Sequence, residues 1–133
     1  MNDTLCFRQD VRHVVALACA PAIGLGIARF AYALLLPDMK ADLALSYAAA
    51  GWLNTTNAVG YLAGALGAAA LIRAIGAATT VRYGVLSCIL ALGLSALSRD
   101  LAVQNAMRAI EGLGAGISFV AGGVLATGIA GRH

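Results

Sequence analysis

Arg108 and Glu111 stand three residues apart inside a long apolar stretch, a spacing that puts both on one face of a helix where they can partly neutralise each other. Glu111 is the only glutamate among the 133 residues. A charge at the middle of a membrane helix costs about 2.5–3.5 kcal/mol on insertion scales, and pairing does not recover what an apolar pair would avoid losing. Stability alone therefore does not account for the pair. If a solute or a conformational change separated it, Glu111 could take up a proton, which is one physical route to proton coupling; the bland alternative is a packing salt bridge.

Three further groups share this property. Arg29 lies eight residues before Pro37, about 12 Å along a helix, a depth that makes snorkelling to an interface strained and a functional role the competing reading. Tyr32, three residues on, shares its face. Asn54, Asn57 and Tyr61, spaced by three and four, give one polar stripe on an otherwise apolar run. It reads either as interhelical hydrogen-bond glue or as the lining of a cavity.

Other chemistries find no residues to carry them. No nucleophile has a base nearby, neither His13 nor His133 has a catalytic companion, and Cys6, Cys19 and Cys88 show no metal-ligand or disulfide spacing. An enzyme is not expected, nor is a cofactor. Ala16-Leu17-Ala18-Cys19 faintly resembles a lipoprotein cleavage site, but the apolar run continues well past it, so no cleavage is expected.

The elements that must position these side chains follow from composition. The chain is 61% apolar and 11% charged, against about 45–50% and 25% for soluble domains. A water-soluble fold of this length could not hide that excess, and the net charge of +3 is scattered singly rather than set in a basic stripe, which argues against nucleic acid as a partner. Lipid is the expected solvent. A spanning helix needs roughly 20 apolar residues, and four runs qualify, at about 14–36, 48–72, 80–97 and 101–129. The fold class is thus all-α integral membrane with four transmembrane helices. Residues 1–12 form a cytoplasmic tail, 13–130 the membrane region and 131–133 a cytoplasmic end.

Pro37 is expected to close the first run, and 37–47, 73–79 and 98–100 to connect the rest. With both termini inside, the inner segments carry Arg8, Arg12, Arg73, Arg82 and Arg132 and the outer loops only Lys40 and Arg99, as the positive-inside rule prefers. In lipid, helices associate through close packing of small residues. Gly60, Gly64 and Gly67 in the second run, and Gly112, Gly114, Gly116, Gly122 and Gly123 in the fourth, are suited to that or to flexible points. The third run holds nothing more polar than Ser87, Cys88 and Ser95 and reads as the peripheral, lipid-facing helix.

The stretch Arg108-Ala109-Ile110-Glu111-Gly112-Leu113-Gly114-Ala115-Gly116 resembles the fourth-helix signature of the major facilitator superfamily. Gly24 to Tyr32 with its Gly26-x-x-Arg29-Phe30 core, running on to Pro37-Asp38-Met39, is similar to the opening of the YbfB/YjiJ-type branch. Gly51-Trp52-Leu53-Asn54 and Gly60 to Gly64 resemble its second helix. The loop after that helix keeps only Arg73 and Gly76 of the usual charged pattern, which puts the gating attributed to that loop in doubt. The resemblance implies a major-facilitator-type half-bundle, incomplete at four of twelve spans, in a bacterial inner-membrane secondary transporter. It implies a small organic solute moved by alternating access, with the first and fourth helices lining the path. The missing C-terminal helices or a second copy would complete that path. The other readings are a small dimeric exporter of four helices, a non-transporting membrane subunit, or a non-functional truncated transporter.

Overall fold

The computed structural model describes residues 28–42 and 45–130, together with Val15 and Gly26. Among the described residues four helices follow in order: α1 (Ala28–Asp42), α2 (Tyr47–Ile75), α3 (Ala77–Leu97) and α4 (Leu101–Ala130). Three of them, α2, α3 and the Leu101–Gly128 part of α4, are long and apolar enough to cross a membrane. The expected first span, Val14–Leu36, lies largely outside the described residues.

Two boundaries differ from the sequence reading. Pro37 stands inside α1, which continues to Asp42; an internal proline gives up the backbone bond to the residue four back, here Ala33, and crowds that residue's carbonyl, a cost that can kink a helix without ending it. The expected connection at 73–79 contracts to Gly76 alone. Gly76 adopts φ +83°, a conformation that side chains disfavour, and its N–H donates to the Ile72 carbonyl at 2.9 Å. One residue suffices to reverse the chain. At 29 residues, α2 is about 44 Å long, longer than the hydrocarbon core of about 30 Å, and Arg73 stands in its last turn.

Local chemistry sets the other ends. Ser46 precedes α2 in extended backbone and its Oγ accepts from the Ala49 N–H at 3.1 Å, while Asp100 Oδ1 accepts from the N–H groups of Ala102 and Val103 at 2.8 and 3.0 Å to start α4. Leu36 of α1 packs on Leu45 and Leu53, and Lys40 Nζ sits 3.1 Å from the centre of the Tyr47 ring.

α4 is the middle of the bundle. It packs along both α2 and α3, which scarcely touch each other. Half of its most apolar stretch is buried, against 11% for α2 and 22% for α3, so those two present most of their surface outward. Trp52, Leu62, Leu66, Leu90 and Leu94 are exposed, the apolar coat that lipid would cover. The α3 helix is not merely lipid-facing, however. Thr80, Gly84, Cys88 and Ala91 form a buried stripe of small side chains against α4, and it is their size that admits the neighbouring backbone.

Candidate functional site

The two seams of α4 put different residues against it. Gly60 and Gly64 of α2 face Ala109 and Leu113, and Gly112 and Gly116 of α4 face Asn57 and Tyr61, so that a Cβ on any of the four would strike a backbone carbonyl of the other helix. Residue numbers rise together along both helices, so α2 and α4 run parallel. Gly84 of α3 meets Gly114 and Ser118, while Gln104 reaches back to Ser95 and Ser98. That order makes α3 antiparallel to α4. Gly67, Gly122 and Gly123 have open space where a Cβ would be, so they belong to neither seam.

Arg108 and Glu111 lie on α4 between the seams. Arg108 Nη1 donates to Glu111 Oε2 at 2.9 Å, with the two side chains 8% and 5% exposed. The pair belongs to a longer row, because Gln104 and Ser118 continue the same face at spacings of four and seven and both are buried. This row extends over 14 positions, about 21 Å of helix. Its polarity is internal to the bundle, enclosed on a helix whose opposite side carries exposed Ile110, Leu113 and Val124.

Both neighbours hold the pair by its main chain. Asn57 Nδ2 of α2 donates to the Arg108 carbonyl at 3.1 Å, and Cys88 Sγ of α3 donates to the Glu111 carbonyl at 3.3 Å. Each carbonyl has a second lone pair besides the one used within the helix, so neither bond interrupts α4. Gly112 is what lets Asn57 approach this closely. The two residues that carry charge are thus positioned from two sides while their side chains bond to each other.

The remaining sequence candidates separate. Asn54 is exposed, whereas Tyr61 is half-buried and stacks obliquely on Phe119, ring centres 6.4 Å apart at 47°. The stripe Asn54, Asn57 and Tyr61 is therefore not one polar unit: Asn57 bonds to α4 and Tyr61 makes a ring contact. Arg29 and Tyr32 lie on the backbone of α1, but their side chains fall outside the described residues. Gln104, Ser118 and Cys88 are additions. The first two are discernible as the continuation of the 108–111 face; nothing in the sequence singles out Cys88.

Among the described residues no three His, Cys, Asp or Glu side chains gather where a metal ion could be held. What this arrangement can do is hold one cation and one anion against each other, away from water, in a helix fixed along two edges. A solute anion competing for Arg108, or a proton reaching Glu111, would open the pair.

The family model described as "Uncharacterised MFS-type transporter YbfB" matches residues 21–133. No curated protein and no solved structure matches.

Proposed function

Because the chain belongs to the family of MFS-type transporters described by YbfB, we propose that it forms the first four helices of a secondary transporter moving a small organic solute by alternating access, coupled to protons. The observation that carries this reading is the buried Arg108–Glu111 pair, held by its carbonyls between two seams. Such a pair stabilises a membrane helix less than apolar residues would, and a transport pathway is where an opposing charge or a proton would reach it. Glu111 is the proton carrier in this scheme and Arg108 the partner that holds it between turnovers. Arg29 and Tyr32 on α1 complete the lining, with Asn57 as a positioning residue.

The orientation proposed is the bacterial inner membrane with both termini inside. It is supported by the two ends of the bundle: Arg73 and Arg82 flank the α2–α3 turn, while Asp38, Lys40, Asp42, Arg99 and Asp100 lie at the opposite end. Further helices, from a longer chain or a second copy, belong to the complete pathway. A non-transporting subunit would be expected to pair its intramembrane charges with a partner's, whereas here they pair within α4.

The test is solute-driven proton movement. Membrane vesicles containing the protein together with the helices that complete its pathway, with a pH-sensitive dye inside, are challenged with panels of small organic acids and amines. A solute that shifts internal pH with the native chain should shift it at least tenfold more slowly with Glu111→Gln. Unchanged proton movement in that variant would remove Glu111 from the scheme, and no response to any solute from the native chain would count against transport.

A further inference from the structure

The two charges on α4 differ in kind. A guanidinium keeps its charge at any pH a cell offers, whereas one proton neutralises a carboxylate. Glu111 is the only carboxylate within α2, α3 and α4, and the arginines there besides Arg108, Arg73 and Arg82, are exposed beside the α2–α3 turn. The polar groups that the neighbouring helices bring to α4 at the level of the pair are Asn57 and Tyr61 from α2 and Ser87 and Cys88 from α3. None of them carries charge at neutral pH. Neither neighbour therefore offers Arg108 a second carboxylate or Glu111 a second cation.

Arg108 and Glu111 stand on one helix, so sliding α2 or α3 along α4 leaves their spacing unchanged. What parts them is a competitor for one of the two charges, and charge balance decides which. With the side chains 8% and 5% exposed, an uncompensated charge there is costly. A solute cation makes the site positive when Glu111 is ionised and doubly so when it is protonated. A zwitterion would pair with both residues and leave Glu111 no proton to carry. A proton alone strands the charge of Arg108, and an anion alone faces Glu111 across the same guanidinium. A proton and an anion arriving together keep the site neutral, as the resting pair is. Arg29, a further permanent cation on α1, shifts the balance of the lining proposed above still more toward an anion.

We infer, resting on the proton-coupled transport proposed above, that the solute is a small organic monoanion with a carboxylate or like oxyanion group, which takes Arg108 from Glu111 as Glu111 takes one proton. The planar fork of N–H donors on a guanidinium suits such a group. In the exchange the bond from Nη1 to Oε2 breaks, a proton from water binds a carboxylate oxygen of Glu111, and the solute oxyanion accepts from Arg108. Release on the other face reverses all three changes, so one anion crosses with one proton.

Formate is the smallest probe of such a group and, like other carboxylates, stays ionised from about pH 5.5 to 8. Its binding is read from the rise in thermal unfolding temperature as it is titrated onto the protein, purified in detergent together with the helices that complete its pathway. The native protein should bind formate about tenfold more tightly for each pH unit of acidification, the slope of one proton taken up per anion. Glu111→Gln should bind it with a strength that pH does not change, and Glu111→Gln combined with Arg108→Gln should lose the response. Where Glu111→Gln does not accumulate, Glu111→Ser replaces it. Native protein that ignores formate or binds it without that slope would overturn the anion class, as would tighter binding of methylammonium or glycine, or a formate response that survives loss of both residues. Solute-driven proton movement seen alongside any of these would leave transport standing. Formate bound with the expected slope by a protein that moves protons with no solute would keep the anion site and overturn transport.

Discussion

The α2–α4 and α3–α4 seams are both built on glycine, yet they resist change differently. On the α2 side, every glycine faces backbone: the carbonyls of Asn57, Tyr61, Ala109 and Leu113 fill the places where a Cβ would go. On the α3 side the nearest atoms to Gly84 and Gly114 are the hydroxyls of Ser118 and Ser87, with backbone carbonyls next, at 2.7 and 2.6 Å. A hydroxyl can rotate out of the way, but the backbone carbonyls behind it cannot, and they stand nearer the missing Cβ positions on the parallel seam than on the antiparallel one. The parallel seam is therefore the tighter edge of α4 and the antiparallel seam the looser one.

The largest effect expected in this contrast is on the pair that both seams serve. Arg108→Met leaves Glu111 buried without its counter-charge and should destabilise the protein by about 3–5 kcal/mol, read as a drop in thermal unfolding temperature in detergent. Adding Glu111→Leu to it should restore most of the loss. If the single and double variants unfold alike, the pair is not enclosed as described.

The seams themselves come next. Gly64→Ala drives a methyl into the Leu113 backbone and should cost about 1–3 kcal/mol, whereas Gly84→Ala displaces a hydroxyl and meets the Gly114 carbonyl less closely, at 2.7 Å, and should cost less. Thermal unfolding of the two variants side by side checks the order, and equal losses would erase the distinction between the tighter and looser edges.

The smallest effects are at the carbonyl grips. Asn57→Leu gives up an interhelical hydrogen bond of about 0.6–2 kcal/mol. Cys88→Ala gives up only a weak thiol donor and should fall below that. Both should reduce solute-driven proton movement more than their stability losses alone would, because each lets the main chain of the pair drift; activity that merely follows stability would deny them a positioning role.

Much of this is legible in the amino-acid sequence, for reasons that differ residue by residue. The Arg108–Glu111 contact is local, three residues apart on one helix, and helical geometry alone brings the two together. The glycine spacings in α2 and α4 announce close crossings, but which glycine meets which carbonyl depends on the mutual placement of two helices, and spacing cannot exclude Gly67, Gly122 or Gly123. Asn57 and Tyr61 group with Asn54 in the sequence because all three share a helical face, though a face about 100° wide includes residues on both sides of a seam. Pro37 misleads because a proline inside a helix can kink it without ending it. Gln104 and Ser118 are uncharged and so stand out less, although their register with Arg108 is plain. Cys88 is beyond the reach of sequence, since its donation to Glu111 exists only once α3 lies against α4.

The claim at the centre is that the buried pair exists for transport rather than for stability. The direct measurement takes Arg108→Met combined with Glu111→Leu and records thermal stability and solute-driven proton movement on the same preparation. The account predicts unfolding close to the native temperature, well above that of Arg108→Met alone, with proton movement lost. A variant that unfolds well below the native chain while still moving protons would contradict it.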